Sequence, residues 1–329
     1  MRQVLLRLPY PNPFTGEWGT LPLYGYGLAM AVGFLVAILT AARRAKRDGS
    51  PPEVVHNCAL ACFFGGVFGA RAFFVIQFSE RFPSLLDLLR IWEGGLTFYG
   101  GFLVATLAVV AYLRLTRRPV LYWLDVIVPS LALGLAFGRL GCFLNGCCYG
   151  DVAHSGPGMV WPVGSIPWTH YAQAHLASLG QMGPLPGGAG GAAMMGALAA
   201  GWRMPAIHPA QVYSLVNALL LAVVLHVLFV RRRRNGQVLL TFVVLYGVSR
   251  YLLEMVRADE PEIYLLGLPT LLRLLGAHEA AEALPGLTIS QNIAVTLVLV
   301  GGVLLWRLMK SRRPGLVVER PGQRDAAEA

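Results

Sequence analysis

The sequence has little charge. Only 13% of its 329 residues are Asp, Glu, Lys or Arg, whereas 56% are hydrophobic. Soluble domains carry about 25% charged residues, so a chain this poor in charge lacks the polar side chains to cover a surface in water. This excludes a typical cytosolic enzyme, a disordered protein and an ordinary nucleic-acid-binding protein. The net charge of +10 is therefore better explained by the preference of basic residues for the cytoplasmic side of a membrane than by DNA binding.

Cysteine is also scarce and unevenly spaced, which excludes a disulfide scaffold. The five cysteines are Cys58, Cys62, Cys142, Cys147 and Cys148. A zinc site from the last three with His154 is conceivable, but C-x4-C-C is not a standard ligand spacing. There is no C-x-x-C redox pair, and no G-x-S-x-G, H-E-x-x-H or Walker motif. We therefore expect neither a metal nor a cofactor.

Long apolar runs are what the sequence does contain. The first residues hold no apolar run long enough for a signal peptide, so the first long run is interpreted as a membrane span. Seven runs approach the roughly 20 residues that cross a bilayer. They are Tyr24–Ala42, Val54–Phe78, Gly95–Leu113, Leu121–Phe143, Pro209–Val230, Val238–Met255 and Ile289–Met309. The fold class predicted is an all-α, polytopic membrane bundle of about seven helices.

Basic residues orient this bundle. Clusters after spans one, three, five and seven contain 15 of the 27 Lys and Arg residues, and the opposite loops contain five. The positive side is expected to be cytoplasmic, which puts the N-terminus outside and the C-terminus inside. We predict an outer N-terminal segment (1–23), a seven-span domain (24–309) and a cytoplasmic tail (310–329). Residues 150–208 and 257–288 would form a small outer head.

Ionisable residues within spans are costly and usually face a protein interior or a polar cavity. Arg71, Arg139 and Arg250 lie within spans or at their edges, and Glu254 follows Arg250 by one helical turn. Arg250 and Glu254 could simply neutralise each other. Arg139 has no acidic neighbour in sequence, which favours an anionic ligand such as lipid phosphate.

The segment GRLGCFLNGCCYG (138–150) is glycine-rich at the outer end of span four. Its glycines could bend the backbone around a phosphate, or they could form a small-residue surface for helix packing. Other polar and glycine-rich segments open spans one, three and five at the same side. One outer pocket could therefore collect Tyr26, Tyr99, Arg139, Asn145, His208, Gln211, Arg250 and Glu254.

Several of these segments resemble those of the prolipoprotein diacylglyceryl transferases. The matching stretches, in family order, are Tyr26-Gly-Leu, GGLTFYGG, GRLGCFLNGCCYG, HPAQVY and LYGVSRYLLEMVRAD. The resemblance implies a seven-span bacterial inner-membrane enzyme with a periplasmic head. It would transfer the sn-1,2-diacylglyceryl group of phosphatidylglycerol to the lipobox cysteine of a prolipoprotein signal peptide, forming a thioether and releasing glycerol-1-phosphate. Partners would be those substrates and membrane lipids, and not nucleic acid.

By residue matching, Arg139 and Arg250 correspond to two essential arginines of that family. Tyr26 corresponds to a tyrosine of its motifs, and Asn145 and Gly150 correspond to the NGxxxG part of the arginine motif. Glu254, Gln211 and Arg71 are added as residues expected to bind phosphatidylglycerol. Catalytic roles are assigned to Arg139, Arg250, Tyr99 and His208.

Two departures from the family pattern affect which residue could act as the general base that accepts the proton of the acceptor thiol. Many relatives have His at position 99 and Glu at position 147. Tyr99 is a poor base because an unperturbed tyrosine has a pKa of about 10. His208 is the alternative proton acceptor. A transporter or a lipid-binding protein with an outward-facing pocket for an anion is the alternative function.

Overall fold

The computed structural model describes residues 4–11, 18–82, 95–178, 196, 201–257 and 287–311. Over these residues the chain is mainly helical. The helices are α1 (Gly25–Arg47), α2 (Glu53–Gln77), α3 (Phe98–Leu115), α4 (Val120–Asn145), α5 (Ile166–Ser178), α6 (Ala210–Arg231), α7 (Gln237–Glu254) and α8 (Ile289–Lys310). A 3-10 turn, Ser79–Arg81, follows α2.

The seven predicted spans are confirmed. All the helices named except α5 are long and apolar enough to cross a membrane. Their ends differ from the sequence-based ones by a few residues; α3, for example, begins at Phe98 rather than at Gly95. Large apolar side chains such as Phe64, Leu220 and Leu299 are exposed along these helices. Such surfaces suit lipid rather than water, so the chain is a multi-pass membrane protein.

The N-terminal segment adds an element that the sequence reasoning missed. Strands β1 (Val4–Pro11) and β2 (Trp18–Tyr24) form an antiparallel pair, with Val4 opposite Tyr24 and Pro11 opposite Trp18. Strand β2 leads directly into α1. Pro9 and Pro11 argue against a strand in a larger sheet, but both strands of a two-stranded ribbon are edges, where proline is tolerated.

The chain divides into two compact units. The first unit comprises Met1–Leu35, Ala132–Val224 and Leu240–Arg307, and the second comprises Val36–Leu131, Leu225–Leu239 and Leu308–Ala329. Most of the predicted site residues belong to the first unit. Arg71 and Tyr99 belong to the second.

Within the first unit, glycines let helices approach closely. A Cβ atom on Gly33 of α1 would lie 2.5 Å from Phe137 Cβ of α4, and one on Gly141 would lie 3.0 Å from the Tyr26 ring. On α7, a Cβ on Gly247 would lie 2.9 Å from the carbonyl oxygen of Ala294 of α8. Gly141 therefore belongs to a helix-packing surface, and α4 stays helical up to Asn145. The bend expected over 138–150 is confined to the residues after Asn145.

A small aromatic core organises the described part of residues 150–208. Its buried members are Trp161, Trp168, Ala172, Leu176, Met204 and Ile207. Helix α5 supplies three of them, and Ile207 also bridges to Val152 and Met159 through isolated strand pairs. The predicted second head segment lies outside the described residues apart from Arg257, Leu287 and Thr288. Most of the predicted tail (312–329) lies outside them too.

The second unit holds a polar network beside its basic clusters. Asp48 accepts hydrogen bonds from Tyr122 (2.8 Å) and Arg232 (2.5 Å), and Arg44 donates to the carbonyl of Val126 and to Ser130. Arg232 is almost fully buried and stacks on the Phe229 ring. The basic cluster Arg231–Arg234 is therefore more than a charge marker for topology, because one of its members is a paired interior residue.

Asp125 fixes the turn between α6 and α7. Its side chain is fully buried, and its carboxylate accepts hydrogen bonds from the backbone N–H groups of Gly236 (2.7 Å) and Leu239 (2.8 Å). These donors lie at the start of α7, where helical N–H groups have no partner within the helix. Asp125 thus caps α7 from a neighbouring helix.

We predict that Asp125→Asn destabilises the protein by about 1–3 kcal/mol, because the amide presents one donor to two backbone donors and leaves one of them unpaired in the interior. Thermal unfolding of the detergent-solubilised protein measures this. Glu53→Gln, at an exposed position of α2, serves as the control and should unfold like the parent chain. Equal transition temperatures for both variants would contradict the capping role.

Candidate functional site

The candidate site begins where α4 ends. Gly146 has a positive φ of 81°, which ends the helix in the left-handed conformation favoured by glycine. The N–H groups of Gly146 (2.9 Å) and Cys147 (3.1 Å) both donate to the carbonyl of Cys142. This is a Schellman-type turn, which folds the second residue after the helix back over its last turn. Such a turn brings together residues five positions apart, which is the separation of Cys142 and Cys147.

The turn assembles three thiols. The sulfur atoms of Cys142, Cys147 and Cys148 all lie within 4.8 Å of one another, and each residue is partly buried. Cys148 has an unusual positive φ of 58° for a residue with a side chain. Hydrogen bonds from the Cys142 and Cys147 thiols lower the pKa of the Cys148 thiol; Arg257 and Arg139 lower it further, and burial opposes them.

Tyr26 and Arg139 lie beside these thiols. The Tyr26 hydroxyl interacts electrostatically with the three cysteines and with Arg139. Its ring packs on Gly141, and the side chain keeps 42% of its surface exposed. The structure therefore brings together the motif tyrosine and the motif arginine that the sequence placed in one pocket.

Arg139 is the least neutralised charge of the site. Over the parts of the chain that the structure describes, its guanidinium has no hydrogen bond and no ion pair. It lines a small cavity together with Arg250, and both arginines come from membrane-spanning helices. The remaining lining residues are Leu135, Ser214, Asn217, Ala218, Leu221, Tyr246, Ser249 and Leu253. Two guanidiniums facing one cavity are suited to an anion.

Arg250 is held by neighbours. Its Nη1 lies 2.5 Å from a carboxylate oxygen of the buried Glu254, and its Nη2 donates to Ser290 Oγ (2.6 Å). Thr288 donates to the other Glu254 oxygen, and the Arg257 Nε lies 3.9 Å from Glu254. The predicted Arg250–Glu254 ion pair is therefore present, and Arg257 approaches the same carboxylate. Glu254 thus holds Arg250 in place at the cavity that Arg139 also lines.

Gly150 and His208 lie at a junction of three backbone segments. The N–H of Gly150 donates to the His208 carbonyl (2.8 Å), and a Cβ atom on Gly150 would lie 2.5 Å from the Val256 carbonyl oxygen. The His208 ring nitrogen Nδ1 lies 3.2 Å from the Tyr213 hydroxyl, which donates to the Pro157 carbonyl. These contacts give Gly150 and His208 structural roles close to the cysteine turn.

Gln211 and Asn145 hold the turn in place. The fully buried Gln211 donates from Nε2 to the Cys147 carbonyl (2.7 Å), which ties the start of α6 to the turn after α4. Asn145 forms a side-chain hydrogen bond with Cys147. Both residues act on the shape of the site. The Gln211 bond joins the HPAQVY motif to GRLGCFLNGCCYG, as does the bond from the Gly150 N–H to the His208 carbonyl.

Arg71 and Tyr99 lie in the second unit. Arg71 is 1% exposed, donates to the Gly95 carbonyl (3.4 Å) and packs against the rings of Phe74 and Phe82. Tyr99 is in the first turn of α3, 64% exposed, with its ring edge-on to Phe98. The contacts of Arg71 anchor the segment that precedes α3.

Sequence reasoning missed two features of the site. Arg257 was counted as a loop residue, although it approaches both Glu254 and Cys148. The spacing C-x4-C-C was set aside as a non-standard ligand spacing, and the meeting of the three thiols was not predicted. The sequence signal for the thiol cluster was the pair Asn145-Gly146, because glycine after a helix predicts a turn that reverses the chain.

Known proteins are similar to this chain over most of its length. A family model described as prolipoprotein diacylglyceryl transferase matches residues 13–307. The chain is similar to proteins named phosphatidylglycerol–prolipoprotein diacylglyceryl transferase from three bacteria. The one from Citrobacter koseri is 32% identical over 80% of this chain and 86% of the relative. The Sodalis glossinidius protein is 31% identical over 78% and 85%, and the Clostridium tetani protein is 28% identical over 75% and 86%.

We predict that Gly150→Ala destabilises the protein by about 1–3 kcal/mol, because the added methyl group clashes with backbone carbonyls that cannot rotate away. The matched control is Gly302→Ala in α8, where a Cβ atom would have no neighbour within 4 Å. Thermal unfolding in detergent compares the two. A Gly150→Ala protein as stable as Gly302→Ala would refute the close backbone junction.

Proposed function

The chain belongs to the prolipoprotein diacylglyceryl transferase family, and from that premise we propose the reaction that it catalyses. It transfers the sn-1,2-diacylglyceryl group of phosphatidylglycerol to a cysteine thiol of a prolipoprotein. The acceptor is the lipobox cysteine of the signal peptide. The products are a thioether-linked lipoprotein precursor and glycerol-1-phosphate. The match over residues 13–307 supports this assignment for nearly the whole chain.

The single observation that carries the proposal is Arg139. Holding a guanidinium within a membrane-spanning helix is costly unless an anion compensates it. Among the described residues Arg139 has no ion pair, and Arg250 faces the same cavity. The phosphate of phosphatidylglycerol is an anion that arrives from the bilayer. Arg139 binds it, and Arg250 assists while Glu254 and Ser290 fix its orientation.

The charges that develop during the reaction explain why arginines are needed. The acceptor sulfur forms a bond to the glyceryl carbon as the bond from that carbon to the phosphate oxygen breaks. The electron pair of the broken bond stays on the phosphate, which leaves with an additional negative charge. Fixed cations aimed at that oxygen stabilise the transition state more than the ground state. Arg139 supplies this stabilisation, because no described carboxylate neutralises it.

The acceptor must react as a thiolate, so its proton has to leave. Tyr26, beside both Arg139 and the cysteine turn, is placed to orient the headgroup. His208 accepts the proton only if its ring turns from Tyr213 toward the substrate. Tyr99 stays a candidate on the strength of its sequence motif, and this proposal does not use it as the base.

We predict that Arg139→Gln lowers kcat/KM for transfer from labelled phosphatidylglycerol to a lipobox peptide by at least about 100-fold, the cost of removing one transition-state donor. Arg139→Lys keeps the charge and loses the bidentate fork, so its activity should fall between those of Arg139→Gln and the parent chain.

Arg203→Gln removes an exposed arginine of the same unit and is the control, with activity unchanged. Thermal unfolding of each variant separates a lost contact from a lost fold. A stable Arg139→Gln protein that keeps near-normal turnover would exclude the phosphate role. Turnover absent from the parent chain itself would favour a lipid-binding or transport function.

We further propose that the chain lies in the bacterial inner membrane with its N-terminus in the periplasm and its C-terminus in the cytoplasm. The distribution of Lys and Arg supports this orientation. An epitope inserted at Gly164 should be accessible to antibody in spheroplasts. An epitope after Ala329 should become accessible only after lysis. The reverse pattern would overturn the orientation.

A further inference from the structure

The cluster formed by Cys142, Cys147 and Cys148 is not explained by the proposed reaction, since the nucleophilic cysteine belongs to the substrate. All three cysteines are free thiols, and their sulfur atoms lie within 4.8 Å of one another. Three thiolates around one zinc ion, each at about 2.3 Å, stand about 3.8 Å apart. The observed separations exceed that spacing by no more than about 1 Å.

The backbone holds these thiols in position without a metal. The Schellman-type turn places Cys147 over Cys142, and the buried Gln211 fixes the Cys147 carbonyl. Cys148 has a left-handed backbone conformation, and its sulfur lies with the other two. Strained positions of this kind persist where the surrounding structure determines them, and they cluster at functional sites. The three sulfurs are therefore preorganised.

We propose that Cys142, Cys147 and Cys148 bind one thiophilic metal ion, Zn²⁺ being the ordinary occupant, and leave its fourth coordination position open. Thiolate sulfur is the ligand that zinc and other soft ions select. No His, Asp, Glu or further Cys of the described residues joins the cluster. Three protein ligands with one open position are the pattern of zinc sites that bind a substrate.

The surrounding charges suit such an ion. Three thiolates and one Zn²⁺ leave a net charge of about −1 by formal counting. Arg139 and Arg257 interact electrostatically with Cys148 and compensate this excess. The same cations would lower the affinity for a metal held by neutral ligands, so they favour a thiolate-rich site over a histidine-rich one.

The open position gives the site a role that rests on the proposed function. The acceptor cysteine of the prolipoprotein would bind there as a thiolate, its proton passing to water, because metal coordination deprotonates a thiol outright. The bound sulfur then forms the C–S bond as the C–O bond to the phosphate breaks. A coordinated thiol needs no protein base, which fits a chain with tyrosine at position 99.

The test uses the full-length protein, reduced and freed of metal with a chelator. Titration with Cd²⁺ should produce a thiolate-to-cadmium ultraviolet band that saturates at one equivalent, and Zn²⁺ should compete for the same site. Cys147→Ser and Cys148→Ser should each lower the affinity by at least about tenfold. Cys62→Ser removes a partly buried cysteine of α2 and should leave the titration unchanged.

A second arm adds a lipobox peptide, or the same peptide with serine in place of its cysteine, to the cadmium-loaded protein. The cysteine peptide alone should strengthen the band by the contribution of a fourth sulfur. If the cadmium band persists at full strength in both Cys147→Ser and Cys148→Ser, the binding is adventitious and the proposed site is overturned. So would a disulfide among the three cysteines in the protein isolated without reductant. A peptide without effect would overturn the open position.

Activity separates this inference from the function beneath it. If the metal-free protein transfers diacylglyceryl groups at the full rate and shows no cadmium band, the metal site is wrong and the transferase function stands. If the band appears as expected but no transfer occurs from phosphatidylglycerol, the metal site stands and the proposed function fails.

Discussion

The cost of keeping a guanidinium away from water governs the polar interior of this protein. Several arginines lie in or beside membrane-spanning helices, and those that the described structure buries have an identified partner. Arg232 pairs with Asp48, Arg250 pairs with Glu254, and Arg44 donates to Val126 and Ser130. Arg71 combines a carbonyl contact with two aromatic rings. Arg139, which has no ion pair among the described residues, therefore stands out as the cation available to a ligand.

Glycine sets the distances on which these pairings depend. Gly33 and Gly141 let α1 and α4 approach so closely that Tyr26 reaches the end of α4. Gly150 lets three backbone segments meet, which places His208 and Arg257 next to the cysteine turn. Each of these positions excludes a side chain for a steric reason. The glycine-rich motifs thus allow close packing of the backbone, and that packing sets the positions of the side chains of the candidate site.

The site combines two kinds of group in one unit. The cavity of Arg139 and Arg250 suits the leaving phosphate, and the thiol cluster lies where Arg139 and Tyr26 meet the end of α4. A transfer from a phosphate ester to sulfur needs a cation for the leaving oxygen and a means of forming a thiolate. In the mechanism proposed above, Arg139 and Arg250 serve the first need, and Arg139 and Arg257 favour negative charge on the sulfur of Cys148.

The sequence by itself determined the seven spans, because the length and apolarity of a span are properties of contiguous residues. It also made Arg139, Arg250 and Tyr26 candidate site residues, since each lies in a motif that can be read along the chain. It failed at the strand pair β1 and β2, because prolines are unusual in strands and are tolerated here at edges. It also failed at Asp125, whose partners lie more than a hundred residues away. Only the tertiary structure brought Cys142, Cys147 and Cys148 together and joined Gln211 to them. The reason is physical: a turn geometry and a long-range hydrogen bond fix distances that residue spacing does not encode.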